Sequence, residues 1–516
     1  MGYTELSIKL PTNYQEGELR ASIKRILRFA DFSFHILNKS LDARQKKKIH
    51  WLIRVSVVSP EISGGEPDIS PPLEIPFRKR PEKALVVGSG PAGFFAASVL
   101  QRSGIQTTLI ERGSEVAKRA GCIREFEKDG VFDELNNYSF GEGGAGTFSD
   151  GKLTSRTKNI SRERQFVLQS YIEAGAPPEI AYLAHPHLGS DNLRKIVRNL
   201  REDFIQRGGQ VLFETMLTDL QMMDGKVSQA VTDSGGLEAD YFVLAPGQAA
   251  FETYRMLISR GVQFRTKRFA IGSRVEHHQS VINRAQWGKE QLPGVKASEY
   301  RLTSSGAGGL PVYTFCMCPG GIIVPSTAYA ETNIVNGMSL YARSGQFANS
   351  ACVAGIDLQN IIGKELSASE ALDWLEKLEH KFYEYSNGYS APFCSIRDFI
   401  NQKEGKSSTA SSYPLGLKHS ALWELFPPSV SAAIRQGLRD FSKKIQGFDT
   451  GNIMGLESKT SSPIQVLRDN NSLYEGFENL YMVGEGSGYA GGIISSAVNG
   501  IKAAMHIAGH ECKRSH

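Results

Sequence analysis

The sequence predicts an α/β protein. It should have a parallel sheet with strands from both ends of the chain, a small antiparallel meander, an inserted α+β domain and a small N-terminal α+β domain. Three observations carry this expectation. Residues 83–112 read strand, tight glycine turn, helix, strand. Residues 479–508 read strand, glycine turn, helix. Between 251 and 469 that alternation breaks down.

The chain of 516 residues is long enough for two or three domains, and its 41% hydrophobic and 22% charged content suits a globular protein. No apolar run reaches the ~18 residues of a membrane span. The first twenty residues carry early acids and lack the apolar region of a signal peptide. Six cysteines (122, 316, 318, 352, 394, 512) fit no disulfide framework, so a reducing, cytoplasmic setting is expected. The net charge is +5, and residues 1–83 hold 15 Lys+Arg against 10 Asp+Glu, so the surplus lies there. A surplus this small describes a solvated face better than a nucleic-acid site.

In the N-terminal domain (1–70), residues 3–10 alternate as a strand and 18–29 carry apolar residues at helical spacing. Residues 32–38 and 49–58 are strand-like, and the charge run 44–48 between them reads as an exposed helix face. Five prolines (67, 71, 72, 76, 81) then mark a semi-rigid linker, 71–82.

The first part of the parallel sheet spans 83–250. Residues 84–87 are an apolar run suited to a strand buried on both faces. Gly88 allows a tight turn, Gly90 lets a pyrophosphate approach the backbone, and Gly93 lets the following helix (94–103) pack close to the strand. Residues 107–110 form the next strand, ending at Glu111. That acid stands 18 residues past Gly93, where a ribose-binding carboxylate is expected at about 20. Residues 115–134 read as helix. Residues 139–153 (SFGEGGAGTFSDGKL) hold five glycines, which suits a loop wrapping an extended cofactor or, on the plainer reading, a flexible surface loop.

A helix is predicted over 191–206 with Ser190 or Asp191 as N-cap, then a strand over 210–220. Segments 226–231 and 237–239 suggest a meander returning through a strand at 241–244 to the turn Ala245-Pro246-Gly247. The insertion, 251–469, has strand character at 321–324 and 333–341 and helical character at 367–385 and 428–445. The chain returns to the parallel sheet over 470–516, with a strand at 479–483, the glycine turn 484–492 and a helix at 493–508.

Three motifs thus stand in order: GSGPAG with Glu111, LAPGQ at 244–248, and VGEGSGYAGGI at 483–493. They resemble the two-dinucleotide-fold flavoproteins of the glutathione-reductase type, which bind FAD on a Rossmann-like domain. With SFGEGGAGTFSDGKL, FCMCPGG (315–321), NGMSLYARSGQFANSA (336–351) and GLESKTSSP (455–463), the chain is similar to the bacterial family of FAD-dependent dehydrogenases, or uncharacterised FAD-dependent oxidoreductases. The resemblance implies non-covalent FAD and leaves the substrate open. FAD is longer than NAD, which suits a third motif near the C-terminus.

The residues expected to hold FAD are Gly88, Gly90, Pro91, Ala92, Gly93, Glu111 and Arg112. To these are added Gly144, Gly146, Thr147, Leu217, Ala245, Gly247, Gly484, Glu485, Gly491, Gly492 and Ile493. By resemblance, Glu485 stands where a ribityl-binding Asp is common, and the helix opening at Gly491–Ile493 points at the N1–C2=O edge of the flavin.

The flavin carries the hydride chemistry, so no motif assigns a catalytic acid or base. Tyr489, Cys318 and His187 are candidates; packing or capping is the plainer reading of each. Alternation along VYTFCMC would put Cys316 and Cys318 on one strand face, where they are a redox pair or simply buried. Arg343 and Arg468 are candidate anion binders or ion-paired side chains, and His277-His278 is weaker. No metal site is expected, since CxC lacks zinc-site spacing.

The expected function is an FAD-dependent oxidoreductase that moves hydride through flavin N5, to or from a small organic substrate. No second GxGxxG appears, so NAD(P)H, if it is the electron donor, binds without one; otherwise electrons come from the substrate or a protein redox partner. The alternative is an FAD-dependent RNA-modification protein using the basic N-terminal domain.

Overall fold

The computed structural model describes residues 2–65, 71–405 and 410–509; Pro67 of the expected linker and Cys512 lie outside them. The alternating N-terminal pattern forms β1 (Gly2–Leu10), followed by α1 (Glu16–Leu27), β2 (Ser33–Asp42) and β3 (His50–Ser59). β3 lies between β1 and β2 in an antiparallel sheet. Leu19 and Ile23 of α1 cluster with Ile8, Ile53 and Val55. Residues 44–48, expected on a helix, instead form the exposed turn between β2 and β3. Five consecutive polar side chains give a helix no face to bury.

The apolar run becomes β4 (Lys83–Val87), and the glycine turn leads into α2 (Pro91–Arg102) and β5 (Gln106–Ile110). The helix after β5, α3 (Val116–Asp129), stops at Gly130, whose φ of 72° turns the chain out of helix earlier than expected. α4 (Ser161–Glu173) and α5 (Gly189–Gln206) follow. Neither Ser190 nor Asp191 caps α5; the Asp191 carboxylate accepts from the Tyr341 N–H at 2.9 Å instead.

The single strand expected over 210–220 is two. β6 (Gln210–Leu212) joins the parallel sheet beside β5, whereas β7 (Leu217–Met223) pairs with β8 (Lys226–Thr232) and β9 (Gly235–Glu238) as the meander. Glu214, at φ 52°, turns the chain between them. β10 (Tyr241–Leu244) returns to the sheet beside β4.

The chain then builds α6 (Phe251–Ser259), β11 (Phe264–Thr266), β12 (Phe269–His278), α7 (Gln279–Trp287), β13 (Thr303–Ser304), β14 (Val312–Pro325), β15 (Val335–Met338) and β16 (Phe347–Ile356). After these come α8 (Leu358–Ile362), α9 (Ala368–Ser386), β17 (Ala391–Ser395), α10 (Ile396–Asn401), β18 (Leu417–His419), α11 (Pro428–Lys444), β19 (Asn452–Glu457) and β20 (Ile464–Val466). Eight of these strands make one sheet in the order β13-β14-β16-β12-β19-β17-β18, with β15 on β14. Leu372, Leu375 and Phe382 of α9 and Ile434, Leu438 and Phe441 of α11 share a core with Ile271, Val275 and Ala354 of that sheet. The strand expected over 333–341 ends at Met338, because Ser339 leaves the sheet to bond Asp150.

β21 (Leu480–Met482) completes the parallel sheet, in the order β21-β10-β4-β5-β6. α12 (Ile493–Ile507) then packs along α2. A Cβ on Gly500 would fall 1.9 Å from the Ala92 carbonyl oxygen, so only glycine permits this approach. Among the described residues no helix is long and apolar enough to cross a membrane.

Candidate functional site

A cavity of about 1010 Å³ opens at the C-terminal ends of β4, β10 and β21. That is where ligands bind in open α/β sheets. Its wall draws on all three motifs: Gly88, Gly90, Pro91 and Ala92; Ala245 to Gly247; and Gly484, Glu485, Gly491, Gly492 and Ile493. Glu111, Arg112, Gly144, Gly146 and Leu217 also line it.

The three glycines of the first turn meet different steric demands. Gly88 has φ 98° and a Cβ there would strike the Ala245 carbonyl. A Cβ on Gly93 would fall 1.9 Å from the Gly88 oxygen, so this residue sits between turn and helix and not on the cavity wall. A Cβ on Gly90 would meet nothing nearer than the Gly144 Cα at 3.8 Å, so the space in front of it is open to a ligand.

Glu111 pins this turn to the glycine-rich loop. Its carboxylate accepts from the Ser89 N–H (2.9 Å) and hydroxyl (2.7 Å) on one oxygen, and from the Gly113 and Gly141 N–H groups (both 3.1 Å) on the other. Those four bonds occupy most of its acceptor capacity. Arg112 is committed as well, paired with Glu252 at 2.6 Å and lying over the Phe140 ring at 4.2 Å.

The loop is held from behind by Arg119, a fully buried guanidinium with no ion pair among the described residues. It donates to the carbonyls of Asn137 (2.9 Å), Tyr138 (3.1 Å), Gly141 (3.2 Å), Glu142 (2.8 Å) and Gly144 (2.9 Å). Burial lowers its pKa to about 10, still well above neutrality. Thr147 turns away from the main cavity; at 1% exposure it lines a separate hollow of about 30 Å³ behind the turn. This loop forms a 3-10 turn at Ala145–Phe148, which aims Gly144 and Gly146 forward and Thr147 back.

Where α12 begins, Gly492 has φ 87° and the Ser495 hydroxyl donates to the Gly491 carbonyl at 2.6 Å. Glu485 faces the cavity; burial pushes its carboxyl up to about 7, and Lys267 offsets this only in part. Tyr489 lines the wall at 48% exposure, with the Arg468 guanidinium over its ring at 4.2 Å. Arg468 itself donates to the Met482 carbonyl and the Asn499 side chain, so it supports Tyr489.

The other candidates separate. His187 is buried off the cavity, its Nε2 3.1 Å from the Tyr341 carbonyl, and burial lowers its pKa to about 4. The neighbouring His185 lines the wall instead, 2.9 Å from Glu299. Burial opposes ionisation of Glu299, yet His185, Lys152 and Arg343 bring its carboxyl down to about 2. His277 is buried against Phe448. Arg343 is bidentate on the buried Asp150, at 3.0 and 2.6 Å.

Both cysteines of CxC line the cavity, but not through the expected alternation. The β14 register shifts after Phe315, and Cys316 takes φ 42°. Cys316 is exposed, while Cys318 is buried with its Sγ 3.7 Å from Arg274 Nη2. Cys316 opens onto the cavity yet lies deep in the fold, and burial raises its thiol to about 12. The five described cysteines are free, and among the described residues no group of His, Cys, Asp and Glu is placed to hold a metal.

Sequence reasoning passed over Lys152, Arg156, Arg301 and Lys459, which also line the cavity. Lys152 and Lys459 had a signal, since they sit in the motifs SFGEGGAGTFSDGKL and GLESKTSSP.

The wall suits an extended dinucleotide. Side-chain-free backbone faces the space at Gly90, Gly144, Gly484 and Gly492. The N-termini of α2 and α12 both open on it and offer partial positive charge to phosphate and to an electron-rich ring.

Comparison with known proteins agrees. The FAD binding domain family matches residues 82–252, and the C-terminal domain-like family of FAD-dependent proteins matches residues 268–460. A protein of Clostridium beijerinckii, described as uncharacterized, is 36% identical over 491 residues, covering 92% of this chain and 91% of its own. Among solved structures, CtdE in complex with FAD and substrate 4 is 10% identical over 84% of this chain and 82% of that one, with a TM-score of 0.37. Glycine oxidase from Bacillus cereus is 11% identical over 83% and 95%, with a TM-score of 0.33. At those scores neither structure informs the site. The chain belongs to the family of FAD-dependent proteins, with FAD as its cofactor.

Proposed function

We propose that this FAD-dependent oxidoreductase moves hydride between flavin N5 and a small organic substrate held in the outer part of the same cavity. The observation that carries the reading is the continuity of one cavity. It runs from Glu111 and Leu217, past the starts of α2 and α12, to the β13–β14 wall, Lys152 of the glycine-rich loop and the insertion residues Glu299 and Lys459. Bound FAD supplies the hydride acceptor or donor.

The chain's own groups bind and orient. Gly88 to Ala92 and Gly144 to Gly146 receive the pyrophosphate, with Arg119 keeping the loop in place. Ala245 and Gly247 admit the cofactor to the backbone after β10. Gly484, Glu485 and Gly491 to Ile493 hold the flavin half, and Tyr489 faces the substrate side. Lys152 is held by Asp150 at 2.9 Å and by the Met317 carbonyl, so it presents a fixed positive charge to the compartment. NAD(P)H is the electron donor to test first.

Purified protein should be yellow and carry about one FAD per chain, released on denaturation. Anaerobic titration with NADH and NADPH, followed by flavin bleaching, tests the donor. A protein that takes up no FAD overturns the reading.

A further inference from the structure

We infer that the substrate is an oxyanion, a carboxylate or phosphate ester, carried on an apolar or aromatic body. This rests on the oxidoreductase reading above and names its substrate class.

The inference comes from the wall opposite the glycine turns. β13 and β14 pair antiparallel with Thr303 facing Tyr313. The pairing extends one step further, since the Thr314 N–H donates to the Leu302 carbonyl at 2.9 Å. Arg301 therefore stands opposite Phe315, and alternation puts Arg301, Thr303, Tyr313 and Phe315 on one face. All four line the cavity. Of the residues between them, Leu302 is 8% exposed and Thr314 is half-buried, and both also touch the cavity. Phe315 is 37% exposed and lines the cavity, where it presents an aromatic surface. The register shift that follows Phe315 ends this face.

The charges on this face are unbalanced. Arg156 also lines the cavity; burial raises the Tyr313 hydroxyl, and the Arg156 charge offsets this in part. Arg156 and Arg301 are exposed, and among the described residues neither has an ion pair or a side-chain hydrogen bond. Of the other acids on the wall, Glu299 is committed to His185 at 2.9 Å, Asp150 to Arg343 at 2.6 Å, and Glu457 to Arg274 at 3.1 Å; Glu485 stands at the start of the C-terminal glycine turn, in the half proposed to hold the flavin. The compartment thus offers two uncommitted guanidinium groups and an aromatic surface. A guanidinium fork matches carboxylate and phosphate oxygens in pairs, and Tyr313, Phe315 and Tyr489 offer apolar contact to the rest of the ligand. A cationic or purely polar substrate would leave both features unused.

The test uses the FAD-loaded enzyme and three probes of similar shape: phenylacetate, phenyl phosphate and the neutral phenylacetamide. Binding is measured by calorimetry and, in parallel, by the change in flavin absorbance. At least one anion should bind about tenfold or more tightly than phenylacetamide and perturb the flavin spectrum. Arg301→Met and Arg156→Met should each weaken that anion about tenfold while leaving the FAD content and the phenylacetamide affinity unchanged. Preference for phenylacetate or for phenyl phosphate distinguishes the two oxyanion sources. Equal binding of all three probes, binding of neither anion, or arginine variants with unaltered affinity would overturn the inference. Arginine-dependent anion binding that leaves the flavin spectrum unmoved would uphold the anion site and overturn instead the reading that this compartment faces the flavin.

Discussion

Glu111 and Glu485 are two carboxyls on the wall of one cavity, held in different ways. Glu111 spends its oxygens on Ser89, Gly113 and Gly141. Glu111→Ala should therefore destabilise the FAD-free protein by about 1–3 kcal/mol, because buried donors lose their acceptor, and should also lower the FAD content. Thermal unfolding of FAD-free protein checks this; an unchanged midpoint would return Glu111 to a purely ligand-binding role. Glu485 works through its proton. Burial raises its carboxyl to about 7, so the folded chain binds a proton that the unfolded chain has lost at the same pH. Its contribution to stability is present below the ordinary carboxylate pKa and is lost as pH rises through about 7. On the proposed reading Glu485 accepts from an FAD hydroxyl, and the ionised carboxylate is the stronger acceptor. FAD affinity should then increase about tenfold between roughly pH 6 and 8, and Glu485→Gln should flatten that profile in a fluorescence titration.

The glycine-rich loop is an element braced by a buried side chain. Tyr138 and Phe140 of residues 137–144 are buried, and Arg119 makes five hydrogen bonds to the carbonyls of this stretch. Arg119→Met should cost about 1–3 kcal/mol, because buried carbonyls lose their donor, and should reduce FAD affinity more than it perturbs the eight-stranded sheet. Hydrogen exchange confined to the loop and α3 would support this; uniform loosening would not. The pair α2 and α12 depends on close backbone approach. Gly500→Val should shift urea unfolding to lower concentration, since its Cβ would meet the Ala92 oxygen at 1.9 Å.

The molecule as a whole is held together by a buried polar seam. Asp150 of the glycine-rich loop binds Arg343 and Ser339 of the β15–β16 connection and Lys152 of its own loop. Burial opposes the Asp150 charge, but Lys152 and Arg343 hold its carboxyl well below the usual range. The stabilisation is present above the ordinary carboxylate pKa and is lost as pH falls towards the lowered one. Asp150→Asn should cost about 3–5 kcal/mol at neutral pH and should narrow the stability gap to wild type as the solution is acidified, followed by thermal unfolding over a pH series.

Local pattern dictated much of this protein. The strand-turn-helix-strand of 83–112 could be read in the chain because each part depends on neighbours only: β-branched runs, glycines at fixed offsets and a helix stop. The same holds for α9, α11 and α12 and for the glycine positions of the cavity wall. Readings that needed long-range partners went differently. The RQKKK run became a turn because β2 and β3 pair. Ser190 and Asp191 bond the β15–β16 connection rather than capping α5. His187 went inside and His185 outside because Asp150 and Tyr341 pack beside them. Cys316 and Cys318 part company because β14 bulges against β16. Arg156 and Arg301 carried no signal in the chain, and Phe315 stood in FCMCPGG without a role assigned to it. They converge because strand register and an inserted sheet bring distant segments to one wall, and register depends on which strands meet. Motif spacing indicated a dinucleotide and the family resemblance implied FAD, whereas the proposed substrate compartment lies where separate elements face each other.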